Sequence, residues 1–113
     1  MPLTLLANWK LNGSKSFSQA WLKDFFANYT GIEISSIGIA PPSILIDELV
    51  QNTENLGIAI GSQNIDQFLL GARTGEISAS MVKDAGGTFS IVGHSERRIL
   101  FQETNGDISL KLD

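Results

Sequence analysis

Four short apolar runs alternate with segments of helical periodicity along these 113 residues, and this alternation most constrains the fold. The runs predict strands near residues 3–7, 37–40, 56–61 and 89–92. Nearly continuous apolar strands joined by helices are typical of a parallel sheet with right-handed crossovers and two covered faces. The sequence therefore predicts a single α/β domain of about four βα units over residues 1–113.

The segments between the runs predict the helices. In the first, large aromatic residues recur every four positions from Phe17 to Tyr29, which indicates a buried stripe. Ser16 and Gln19 are spaced as a capping box, and Gly31 is a stop signal. Further helices are expected to begin at Pro42-Ser43 and Ser95, and to span roughly 77–85 and 108–112.

Composition excludes several function classes. Twelve acidic against eight basic residues leave a net charge of −4, so neither nucleic acid nor an anionic membrane surface is an expected partner. The chain has no cysteine and one histidine, and we expect no metal site. No run approaches the ~20 apolar residues of a membrane span. The first residues lack the basic region of a signal peptide, so a cytoplasmic location is expected.

The only histidine, His94, lies where the fourth apolar run passes into a helix that begins at Ser95. Free N–H groups and the dipole of a helix start create positive potential, which discourages protonation of an imidazole beside them. A neutral His94 at the carboxyl end of a strand can donate a hydrogen bond to a substrate oxygen. The alternative, a histidine that only caps or packs at the helix start, stays open.

Asn8 and Lys10 directly follow the first predicted strand. Alternation along an extended chain directs both side chains toward the same face. There an ammonium could neutralise a phosphate or a developing oxyanion, and an amide could orient a substrate. A solvated lysine and a turn-forming asparagine are the alternative.

Other charged or glycine-rich segments favour structural roles. Glu96 could act as a general base, but a first-turn glutamate more often complements the helix dipole or holds a cation. Arg97 and Arg98 indicate an ion-pair site at the surface, for which Glu103 is a candidate partner. The turn at 71–78 lacks the spacing of a phosphate-binding loop. With the preceding residues it indicates a long protruding loop.

Five motifs, taken in order, resemble the triosephosphate isomerase family. They are Asn8-Trp9-Lys10, Ala40-Pro41-Pro42, Gln63-Asn64, Gly71 through Ser78, and Gly93 through Arg98. Arg73 departs from the family pattern, which often has an aromatic residue before Thr-Gly-Glu. The resemblance implies a parallel (β/α)₈ TIM barrel, of which this chain would be the amino-terminal part.

The resemblance also implies a reaction, the interconversion of dihydroxyacetone phosphate and D-glyceraldehyde 3-phosphate through an enediolate, as part of glycolysis and gluconeogenesis. His94 and Lys10 would be catalytic, and Asn8 would bind substrate together with Lys10. Glu96 would be a carboxylate near Lys10 that does not itself touch the substrate, and Ser95 would lie beside it. Neither a metal nor an organic cofactor is implied.

A homodimer is a further implication, in which the loop from Asn64 to Gly75 docks into a twin subunit. The contact residues would be Thr74, Arg73 and Gln63.

The family's glutamate base, its lid and its phosphate grip belong to the other half of a barrel that needs about 250 residues. The chain alone is therefore expected to be inactive unless a carboxyl-terminal half complements it. The alternative is a non-catalytic α/β half-barrel module that self-associates or binds a partner.

Overall fold

A computed structural model describes residues 3–28 and 34–113, and its centre is a parallel four-stranded sheet in the order β1-β2-β3-β4. The strands are β1 (Leu3–Asn8), β2 (Ile34–Ala40), β3 (Ile58–Ser62) and β4 (Phe89–Ser90). The helices are α1 (Lys15–Asn28), α2 (Ile46–Asn52), α3 (Ala79–Asp84), α4 (Ser95–Leu100) and α5 (Asn105–Leu112). A 3₁₀ turn at Ser43–Leu45 leads into α2.

The strand pairing places the ends of the strands together. Asn8 of β1 lies opposite Ala40 of β2, while Ile39 of β2 lies opposite Ile60 of β3. Because all three pairings are parallel, the carboxyl ends share one edge of the sheet. This arrangement confirms the predicted α/β class and fits part of a (β/α)₈ barrel.

All four strands differ from the predicted bounds at one end or both. β1 continues to Asn8, and β2 begins at Ile34 rather than residue 37. β3 begins at Ile58 rather than residue 56, because Leu56 closes a turn with a backbone hydrogen bond to Thr53 of 3.0 Å. β4 covers only Phe89 and Ser90 of the predicted 89–92. Ile91 still donates to the Ser62 carbonyl over 2.9 Å, but the chain then turns toward α4.

The core lies on the helix-covered face of the sheet. Ile39, Leu49 and Ile60 are almost fully buried, and Trp9 packs with them. The aromatic stripe of α1 contributes less than predicted. Phe17 stays 42% exposed, although its ring meets Trp9 edge-on at 5.0 Å.

The start of α1 also differs from the prediction, because Ser14 and not Ser16 accepts the capping hydrogen bond. Its hydroxyl oxygen takes the backbone N–H of Phe17 over 3.1 Å. The predicted stop at Gly31, and Tyr29 at the end of the stripe, lie outside the described residues.

The opposite face of the sheet is open. Leu6 projects from it with 53% of its surface exposed, and a Cβ added at Gly38 would lie between Leu6 and Phe89. Within the described ranges, β1 and β4 each pair on one side only. Two edges and an apolar face are thus left without a neighbour in this part of the fold.

Residues 3–28 and 34–113 contain neither a membrane-spanning helix nor a metal-binding cluster. No helix there is long and apolar enough to cross a membrane. No group of three or more carboxylates and imidazoles comes together there as a metal site would require.

Candidate active site

The chain turns sharply after β1, and this turn positions Asn8 and Lys10. Trp9 extends the sheet pairing by donating to the Ala40 carbonyl over 3.0 Å. Lys10 has a left-handed backbone with φ of 57°, and its N–H donates to Oδ1 of Asn8 over 3.0 Å. The alternation argument was therefore wrong about the local backbone, yet both residues face the same cavity.

That cavity lies at the carboxyl-end edge of the sheet and has a volume of about 380 Å³. Such a volume falls within the usual range for small-molecule clefts. The structure brings together at its wall Asn8, Lys10, Gln63, Asn64, His94, Glu96 and Arg97. Of the residues singled out from the sequence, the amide, the ammonium and the imidazole thus share one space.

His94 is the N-cap of α4, and this fixes its tautomer. The backbone N–H of Glu96 donates to Nδ1 of His94 over 3.0 Å. An Nδ1 that accepts this hydrogen bond carries no proton, so the proton of a neutral ring lies on Nε2. Capping uses Nδ1 alone and leaves Nε2 available, so the two alternatives that the sequence left open for His94 do not exclude each other.

Glu96 holds the lysine. Its Oε1 lies 2.6 Å from Nζ of Lys10, and both side chains are about half exposed. The hydrogen bond from Lys10 lowers the pKa of Glu96 below its ordinary value of 4.5, against a smaller opposing effect of burial. Its other oxygen lies 3.8 Å from Nδ1 of His94, too far for a hydrogen bond.

Gln63 braces the floor of the cavity. Its Nε2 donates to the carbonyl of Lys10 over 2.8 Å and to that of Ala40 over 2.9 Å. One amide thus ties the end of β3 to the ends of β1 and β2. The family resemblance implies a contact with a second copy for Gln63, whereas these two bonds lie within the chain.

Known proteins of one family resemble this chain over nearly its whole length. The family model for triosephosphate isomerase matches residues 3–113. The chain belongs to the triosephosphate isomerase family. Relatives of that name include those of Buchnera aphidicola (43% identical over 111 residues), Baumannia cicadellinicola (42% over 110) and Escherichia coli (39% over 107). Each match covers 95% of this chain but 42% of the relative, so the chain spans about two-fifths of their length.

Next to the cavity of this isomerase-family chain lies a buried charge cluster, of which the sequence predicted two members and missed the third. Oε2 of Glu103 accepts from Nε of Arg97 over 3.1 Å and from Nζ of Lys111 over 2.6 Å. Lys111 also donates to Oδ1 of Asn64 over 2.8 Å, linking α5 to the cavity wall. Burial raises the pKa of Glu103, but the two cations outweigh it and the net shift is downward.

Arg97 and Glu103 were expected to pair, but at the surface and without Lys111. No local pattern points to that lysine, because its contact with Asn64 joins positions 47 apart. Arg98 instead donates to the Gly93 carbonyl over 3.2 Å and to Oδ1 of Asn105 over 2.7 Å.

The loop of residues 64–75, here called the arm, begins at the cavity wall with Asn64, and the rest of it lies apart from the cavity. Thr74 is exposed, and neither it nor Arg73 lines the cavity of its own chain. Arg73, which departs from the family pattern, donates from both Nε and Nη2 to the buried carboxylate of Asp66. The apolar tip of the arm is exposed at Phe68, Leu69 and Leu70.

Proposed function

We propose that the protein containing this chain interconverts dihydroxyacetone phosphate and D-glyceraldehyde 3-phosphate through an enediolate. One observation carries this proposal: Asn8, Lys10 and His94 line a single cavity at the carboxyl ends of the strands. Membership of the triosephosphate isomerase family over residues 3–113 supports it.

His94 would polarise the substrate carbonyl. Because Nδ1 is occupied by the backbone of α4, the remaining proton on Nε2 is available for donation to an oxygen. The imidazole is held by a backbone bond rather than a side chain, which fixes its orientation before substrate arrives. Fixed donors aimed at developing negative charge lower the barrier of such a step.

Lys10 would supply positive charge and Asn8 an orienting amide. The ion pair with Glu96 holds the ammonium beside the cavity while leaving it about half exposed. A substrate oxygen can therefore approach it without a large desolvation cost. Asn8 uses Oδ1 to bond the Lys10 backbone, so its side-chain N–H groups remain available to a ligand.

The proton-abstracting base would come from the rest of the barrel. Among the residues that the structure describes, Glu96 is the one carboxylate at the cavity wall. The cation beside Glu96 lowers its pKa, and an efficient general base needs a pKa near the working pH. This chain by itself is therefore expected to show no isomerase turnover.

Two assays test this proposal. The chain alone should give no measurable turnover with either triose phosphate. A chimera in which it replaces the matched segment of the E. coli relative should be active. In the chimera, His94→Asn should lower kcat by about 10²–10⁴-fold, and Lys10→Met by about 10²-fold or more.

Lys15→Met is the matched control, since Lys15 begins α1 outside the cavity and should leave the rate unchanged. Turnover by the chain alone would show that its base is not missing. A folded chimera that tolerates both cavity substitutions would refute the assigned roles.

We also propose that the arm contacts a second copy of the chain, through Thr74 and Arg73 with the apolar tip. Contiguous exposed apolar side chains on a loop are typical of protein contacts. A cytoplasmic location and a part in glycolysis follow from the proposed activity and stay predictions.

The second candidate is a non-catalytic half-barrel that self-associates. Within the part of the chain that the structure describes, the open sheet face with Leu6 and two unpaired edges favour it. An inactive chimera together with a stable, specific oligomer of the isolated chain would select this alternative.

A further inference from the structure

The arm is held by a clamp of three side chains, Asp66, Phe68 and Arg73. Nη2 of Arg73 donates to Oδ1 of Asp66 over 2.9 Å, and Nε donates to Oδ2. The guanidinium carbon lies 4.9 Å above the centre of the Phe68 ring. The N–H of Phe68 also donates to Oδ2 of Asp66 over 3.2 Å.

Asp66 is the fixed end of this clamp. Its backbone N–H donates to the Ile77 carbonyl over 2.8 Å, which closes the base of the arm. Its side chain is only 7% exposed, whereas that of Arg73 is 41% exposed. Arg73, in the outer part of the arm, is thus joined to the buried Asp66 at the base of the arm.

An arginine fork grips both carboxylate oxygens at once and so fixes direction as well as distance. The arm needs such a constraint, because Gly71 and Gly75 both have positive φ and nothing lies within 4 Å of a Cβ added at either. Without the clamp, these glycines leave the backbone between Phe68 and Glu76 free to change direction.

We infer that the Asp66–Arg73 pair, with Phe68 stacked on it, preforms the arm for docking onto a second copy of this chain. A loop that is already ordered loses less entropy on association, so the pair raises the affinity between copies. This inference rests on the self-association proposed above.

Hydrogen exchange of the chain, measured on Asp66→Asn and Arg73→Lys, tests the clamp itself. Amides of the arm should exchange at least about tenfold faster, while those of Ile39 and Ile60 in the core stay protected. Arg73→Lys keeps the charge but loses the fork, so it separates geometry from charge. Glu76→Gln is the matched control, because the Glu76 carboxylate acts on Arg73 only through its charge, and its backbone hydrogen bond to the Arg73 carbonyl is unaffected by the substitution.

Sedimentation equilibrium of the same variants tests whether the clamp raises the affinity between copies of the chain. Both clamp variants should weaken association by about tenfold or more, and the control should not. Unchanged arm exchange would overturn the inference, and so would loss of core protection, since the pair would then stabilise the whole fold. If the unsubstituted chain stays monomeric, the proposed self-association fails, while the exchange data still decide whether the clamp orders the arm.

Discussion

His94 has one role that the structure shows, capping α4, and one that we propose, donation to substrate, and substitution can separate them. Nδ1 caps α4, whereas Nε2 is the nitrogen that we propose donates to the substrate oxygen. Asparagine is among the best N-cap residues, and alanine among the poor ones.

His94→Asn should therefore leave the free energy of unfolding nearly unchanged, and His94→Ala should lower it by about 1 kcal/mol. Both should lower kcat in the chimera by the same factor, about 10²–10⁴-fold. Denaturant titration measures the two free energies of unfolding, and the rate assay on the chimera measures the loss of activity. A large stability loss in His94→Asn would mean that the ring packs as well as caps.

The Lys10–Glu96 pair gives a pH-dependent prediction. Lys10 lowers the pKa of Glu96 from its ordinary 4.5. The pair's contribution to folding stability is therefore fully present above pH 4.5 and is lost as pH falls through the lowered pKa. Lys10→Met should return the pKa of Glu96 toward 4.5. A carbon-13 NMR titration of the Glu96 carboxyl measures this, with Lys23→Met as the control. An identical titration in Lys10→Met would contradict the pairing.

At the scale of elements, the junction of α4 and α5 depends on Glu103. Its carboxylate joins Arg97 of α4 to Lys111 of α5, and the side chains of Glu103 and Lys111 are 5% and 8% exposed. Removing one charge from a buried cluster leaves its partners unpaired, which costs more than the pair itself contributes.

Glu103→Gln should lower the free energy of unfolding by about 3 kcal/mol at neutral pH. The two cations lower the pKa of Glu103. The difference in free energy of unfolding between the unsubstituted chain and Glu103→Gln should therefore narrow as pH falls below 4.5 through that lowered pKa. Denaturant titrations across pH check it, with exposed Glu54→Gln as the control. A pH-independent difference would show that packing, not charge, dominates.

At the scale of the whole molecule, the sheet exposes one apolar face and two edges in the described residues. Leu6 contributes most visibly, with 53% of its surface exposed. Faces of this kind are normally covered in parallel sheets.

Leu6→Lys should therefore reduce association of the isolated chain without weakening its fold, because Leu6 lies outside the buried core. Sedimentation velocity should show a shift toward monomer. Ile44→Lys, on the 3₁₀ turn away from the sheet and 88% exposed, should not show it. Equal effects of both substitutions would point to general charge repulsion instead.

Local sequence patterns determined the parallel α/β class and the placement of Asn8, Lys10 and His94 at strand ends, because apolar periodicity and strand direction are properties of short segments. The motif order pointed to the family in the same way. Tertiary structure decided what depends on distant residues: the occupied Nδ1 of His94, the hold of Glu96 on Lys10, and the contact of Lys111 with Asn64. It also shortened β4, since a strand needs partners to extend, and spacing along a chain does not reveal which neighbours folding will supply.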